Sequence, residues 1–139
     1  MEWSSAMRDL RSAAASPCAV REEPLRAVEG LRPGSLPLSA WRGRSGRRYI
    51  VAIHALSEAA LLDADGAVVL AVGREEGGAA RVVSTTSAEP EMSSVPRARW
   101  LRDAGARGAT ELHVHRLADG RLERRAAVAD LTETDAVLA

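Results

Sequence analysis

ARVVSTTSAEPEMSSVPRARWLRDAGARGATELHVHRL (80–117) decides how this chain is read. Residues 80–86 are rich in β-branched side chains and predict a strand. The polar stretch 87–94 is a loop; Ser94 suits an N-cap and Pro96 a first helical turn. Over about 95–104, Ala98, Leu101 and Ala104 recur at helical spacing, with Arg97, Arg99 and Arg102 directed mostly outward. Gly105 and Gly108 end that helix, and 110–117 is a further strand. A strand–helix–strand step of this length is that of a crossover between parallel strands. Part of the sheet is therefore expected to be parallel.

Working outward, RRYIVAIHAL (47–56) is apolar on both faces, which predicts a central strand covered on both sides. SEAALLDADG (57–66) holds a short helical turn or loop. AVVLAVGRE (67–75) is a second buried strand, and the paired glycines that follow join it to 80–86 as a β-hairpin. Asp119 caps a last helix over about 120–131, with Leu122, Ala126 and Ala129 along one inward stripe. The expected fold is α+β: a small mixed sheet of about four strands, in the order β-β-β-α-β-α, with helices packed on it.

Residues 1–35 differ in character. Pro17, Pro24 and Pro33 break regular structure, leaving room for short helices over 3–15 and 24–31. This stretch is read as a Pro/Ala-rich N-terminal arm, 36–132 as the single domain, and 133–139 as a frayed acidic tail. The 139 residues suffice for one core. With aromatic residues at 3 %, that core is built from Leu, Val, Ala and Ile. All the basic residues are arginine, a bias that matches codon usage in a GC-rich bacterial genome.

Composition excludes several function classes. A formal net charge of zero removes any whole-surface attraction to nucleic acid or anionic membrane. The lone Cys18 excludes an intrachain disulfide and a cysteine-based zinc cluster. No signal-peptide pattern or membrane span is present, so a cytoplasmic setting is expected. P-loop, dinucleotide-binding and nucleophile-elbow motifs are absent.

Two constellations remain. Arg42, Arg44, Arg47 and Arg48 surround Gly43 and Gly46, flanked by Trp41 and Tyr49. Guanidinium forks suit carboxylate or phosphate, glycines let the backbone approach an anion, and the aromatics suit stacking. Trp100, on the helix flank, is a second candidate partner contact. The histidines His54, His113 and His115 all fall in strands. His113 and His115 share a face with Glu111, and His54 joins them if its strand is adjacent, which is a geometry for a divalent metal. The leading expectation is a small non-catalytic binding or accessory module without a cofactor. It acts through protein contacts or self-association, with the arginine loop touching an acidic or phosphate-bearing partner. A metal-dependent enzyme using the strand histidines is the alternative, and nucleic-acid binding through the arginine loop a further one.

Overall fold

The computed structural model describes residues 19–25, 37–89 and 94–132. The helices expected over 3–15 and 24–31, most of the arm and the tail lie outside them. The elements are β1 (Arg21–Glu22), β2 (Leu38–Arg42), β3 (Arg48–Ala55), α1 (Glu58–Leu62), β4 (Ala67–Arg74), β5 (Ala80–Ala88), α2 (Ser94–Ala106), β6 (Glu111–His115) and α3 (Gly120–Leu131).

The strands form one six-stranded sheet in the order β1-β2-β3-β6-β4-β5, and every ladder is antiparallel. This corrects the expected mixed sheet of about four strands in two ways. First, β1 and β2 add two strands that the prolines obscure. Pro37 sits just before β2, where a missing N–H does no harm; its carbonyl accepts from the Ile53 N–H at 2.9 Å. Second, the two crossovers interlock. β3 and β4 run in the same direction with β6 between them, and β5 and β6 run in the same direction with β4 between them. α1 and α2 do each join parallel strands, yet each pair is split by a strand of opposite direction, so no parallel ladder forms.

The pleat sends alternate residues of each strand to opposite faces. Val69 and Ala71 of β4, with Leu112 and Val114 of β6, face α1 and α2 and pack on Leu61, Leu101 and Ala104. Val68, Leu70 and Val72 face the other way, with Trp41, Tyr49 and Val51, and meet Ala127 and Leu131 of α3. A strand feeding two cores needs an unbroken apolar run, which is why AVVLAV carries no polar residue. Gly73 ends that run where the backbone before β6 comes close: a Cβ there would lie 2.7 Å from the Gly108 carbonyl oxygen. The sheet curls into a half-barrel, bringing the edge strand β1 alongside the opposite edge strand β5.

The inner stripe of α3 differs from the sequence reading. Ala127 and Leu131 are its buried residues, whereas Leu122 is 81 % exposed and Ala126 and Ala129 face solvent. Both stripes have helical spacing; the larger joint burial of Ala127, Val128 and Leu131 against Trp41 and Leu70 sets the rotation. An apolar stripe is thereby left on the outer surface. Among the described residues no helix is long and apolar enough to cross a membrane.

Candidate functional site

The arginine stretch forms the turn between β2 and β3. The Gly43 N–H donates to the Arg47 carbonyl at 2.8 Å and the Gly46 N–H to the Gly43 carbonyl at 2.9 Å. Gly46 takes φ = 92°, a left-handed value that favours glycine. This geometry divides the four arginines. Arg42 and Arg48 lie opposite each other across the ladder, so they share a face. Like charges so placed repel, and Glu23, just after β1, sits between them. It accepts from Arg42 Nε at 2.9 Å and Nη2 at 2.8 Å, and lies 3.8 Å from Arg48 Nε. The Arg42 hydrogen bond holds the Glu23 carboxyl below its ordinary pKa. Arg44 and Arg47 occupy the turn itself. Both are exposed, and neither makes an ion pair among the described residues. The Arg47 guanidinium lies 5.6 Å from the centre of the Tyr49 ring.

Asp130, near the C-terminal end of α3, fastens this turn to the body. Its carboxylate accepts from the Ser45 N–H at 2.7 Å, the Ser45 hydroxyl at 2.7 Å and the Tyr49 hydroxyl at 2.8 Å. Its carbonyl accepts from the Arg44 N–H at 3.0 Å. Gly43 is required beside it, because a Cβ there would collide with the Asp130 carboxylate. Burial pushes Asp130 up, but the Ser45 and Tyr49 hydrogen bonds outweigh it, and the carboxyl titrates below its ordinary value. Burial, and then the Asp130 hydrogen bond, push Tyr49 up to about 12. Between turn and helix lies an open groove bordered by Arg44, Arg47, Ala126 and Ala129, with Asp130 at its base. Three protein donors already engage the Asp130 carboxylate, so the charge offered outward is that of the two arginines. Sequence reasoning missed Asp130, which lies far from the turn in the chain and resembles any other helical acid.

Trp41 takes no part in that groove. It is fully buried, and its Nε1–H donates to His113 Nδ1 at 2.9 Å. A nucleic-acid base cannot stack on it, and Tyr49 is only 4 % exposed, so the arginine loop lacks the aromatic platform the sequence suggested.

The histidines divide by strand parity. β3 and β6 are neighbours, as the metal geometry requires. Opposite His113, however, lies Ile53, while His54 is opposite Leu112. Residues opposite each other share a face, so His54 lies on the α1–α2 side and His113 and His115 on the α3 side. No group of three His, Cys, Asp or Glu side chains is placed to hold a metal among the described residues.

His113 and Glu111 belong instead to a polar chain crossing the half-barrel. With Nδ1 accepting from Trp41, the neutral His113 ring carries its proton on Nε2 and donates to Glu111 at 2.8 Å. Glu111 also accepts from Arg74 Nε at 3.2 Å and Nη2 at 3.1 Å. Arg74 reaches Glu22 of β1 at 2.8 Å, and Glu22 accepts from the Ser39 hydroxyl at 2.8 Å. Burial drives the His113 pKa down more than Glu111 raises it. Burial also pushes Glu111 up, but the Arg74 and His113 bonds bring it below its ordinary value. Arg74, bonded to Glu111 and Glu22, has its pKa raised. This chain ties β1, β2, β4 and β6 together where the sheet curls. His115 stands edge-on to Tyr49 at 5.2 Å between ring centres, and its Nδ1–H donates to the Ile50 carbonyl at 2.8 Å. Both histidines are thus held within the fold.

Trp100 is half-buried against the α1–α2 core and donates to the Ser84 hydroxyl at 2.9 Å. It covers the sheet, with only part of its ring exposed.

No protein-family model, curated protein or solved structure matches the chain.

Proposed function

We propose that the protein is a non-catalytic binding module whose groove between the β2–β3 turn and α3 takes an acidic segment of a partner protein. The observation that carries this reading is the division of the arginines. Arg42 and Arg48 are turned to Glu23, whereas Arg44 and Arg47 face open solvent beside a helix with an apolar outer stripe. The stripe of Leu122, Ala126 and Ala129 follows helical spacing, and Arg125 falls on the same side. A carboxylate-bearing strand or helix finds two guanidiniums for its acids and Leu122 for an apolar anchor. The groove is wide and shallow and its arginines are hydrated, which suits a polypeptide better than a single small anion.

An NMR titration with a glutamate-rich peptide carrying one leucine tests this. The expected result is saturable shifts at Ser45, Ala126 and Ala129 that weaken as salt rises. In the double variant Arg44→Glu, Arg47→Glu the affinity falls at least about tenfold, with unchanged circular dichroism. Inorganic phosphate and an oligothymidine run as separate titrations distinguish the other anionic partners. Peptide shifts elsewhere on the surface, or equal binding by the double variant, overturn the reading.

A further inference from the structure

The groove beside α3 has an occupant close at hand in the chain itself. α3 ends at Leu131, and the backbone leaves it extended, with Thr132 at φ = −85° and ψ = 132°. That exit lies against the β2–β3 turn, because the Asp130 carbonyl accepts from the Arg44 N–H at 3.0 Å. Residues 133–139, ETDAVLA, follow directly and lie outside the described residues. They carry two acids, Glu133 and Asp135, and no base.

Charge favours a return of this segment onto the turn. Partial negative charge collects on the carbonyls at a helix C-terminus. The last turn of α3 has no basic side chain to offset it, and Glu133 and Asp135 add to it. The cations at this end stand across the groove: Arg44 and Arg47, both exposed. The field of Arg44 already acts on Asp130. Two guanidiniums nevertheless face that single carboxylate, so positive charge remains for a further acid.

The order of residues also matches. In an extended segment Glu133, Asp135 and Val137 point to one side. Followed back from the C-terminal end of α3, the groove presents Arg44 and Arg47 and then Ala129 and Ala126, with the exposed Leu122 beyond. Two acids and then an apolar residue thus meet two arginines and then an apolar stripe. Seven extended residues span roughly 23 Å. The eight-residue step from Asp130 back to Leu122 is roughly 12 Å along the helix, so the segment has the reach to double back.

We infer that residues 133–139 fold back into this groove and occupy it in cis, so that an acidic segment of a partner must displace them. This rests on the groove's reading as an acceptor of acidic segments and supplies its regulation. The carboxylates of Glu133 and Asp135 accept from the Arg44 and Arg47 guanidiniums, and Val137 lies on Ala126 and Ala129. A tethered segment acts at an effective concentration of the order of millimolar, so in micromolar protein it outcompetes the same segment of a second copy. The partner's apparent affinity is then reduced to the fraction of molecules whose groove is open.

The full chain and its charge-neutralised form Glu133→Gln, Asp135→Asn are compared by NMR. The expected result is nuclear Overhauser contacts from the Val137 methyls to Ala126 or Ala129, independent of protein concentration and weakened by salt. The neutralised form loses them, its Ser45 cross-peak moves, and it binds the glutamate-rich peptide about three- to tenfold more tightly than the wild type. Contacts that are absent, that grow with protein concentration, or that survive neutralisation overturn the inference. The two readings fail separately. Tail contacts without peptide binding by either form uphold the docked tail and sink the partner reading. Equal peptide binding by both forms without tail contacts overturns the docked tail and leaves the partner reading standing.

Discussion

Replacing His113 by leucine tests the polar chain at its most buried point. The ring is fully buried, with Trp41 donating to one nitrogen and Glu111 accepting from the other. Leucine has a similar volume, so the cavity contribution is small. The main loss is that the Trp41 Nε1–H is left without an acceptor in a dry site, which costs about 1–3 kcal/mol. Glu111 keeps Arg74 and adds little. The expected destabilisation is therefore about 2 kcal/mol at neutral pH. Trp41→Phe removes the other partner and leaves some unfilled space, at a similar cost. In the double variant neither buried polar group remains, so the two losses should fall short of additivity by about 1–2 kcal/mol. The pH dependence gives an independent check. Because burial lowers the folded-state pKa of His113, the unfolded chain takes up a proton near pH 6.5 that the folded chain refuses. Stability contributed by the neutral ring is then complete above that pH and falls as the solution is acidified below it. The slope is at most about 1.4 kcal/mol per pH unit. Urea denaturation followed by far-ultraviolet circular dichroism, at pH values of roughly 7.5 and 5.5, measures both effects. His113→Leu should lose this part of the slope. A cost below about 0.5 kcal/mol, full additivity in the double variant and an unchanged slope would together refute the account.

Three further substitutions probe how the turn and the curl are held. Asp130→Asn should lower the Tyr49 pKa from about 12 without bringing it to the ordinary value of a free phenol, because burial remains the larger cause; absorbance titration of the phenolate reads this directly. Gly43→Ala places a methyl group against the Asp130 carboxylate, so it should cost about 1–3 kcal/mol and speed hydrogen exchange at the Ser45 amide. Arg74→Met strips the cation from Glu22, whose side chain is only 7 % exposed, and from Glu111. A loss of about 2–4 kcal/mol, read by urea denaturation, should be largely relieved by adding Glu22→Gln.

Strands with long apolar or β-branched runs were legible because burial on two faces leaves no choice of residue. The readings over 47–56, 67–75, 80–86 and 110–117 lie within a few residues of β3, β4, β5 and β6. The helix over 120–131 was placed by its spacing, but its rotation was not. Two apolar stripes competed, and only the tertiary partners Trp41 and Leu70 select Ala127 and Leu131 over Leu122 and Ala126. β1 and β2 were hidden because a two-residue edge strand and a five-residue strand after Pro37 carry too little pattern. The sheet order lay beyond reach for another reason. A crossover fixes the relative direction of two strands and says nothing about which strand is inserted between them.

The site residues show the same limit at the scale of single side chains. His54, His113 and His115 are on neighbouring strands, and one residue of register decides whether they meet; with Ile53 opposite His113, they do not. Arg42, Arg44, Arg47 and Arg48 are chemically identical and close in the chain. Their roles follow from where the turn falls. Glycines at 43 and 46 close the turn so that Arg42 and Arg48 become a cross-strand pair beside Glu23, and Arg44 and Arg47 are left at its tip. A register shifted by one residue would instead set Arg44 opposite Arg47 and separate Arg42 from Arg48. Register therefore sets which guanidiniums are neutralised within the fold and which are left exposed at the turn, and a count of arginines carries no information about it.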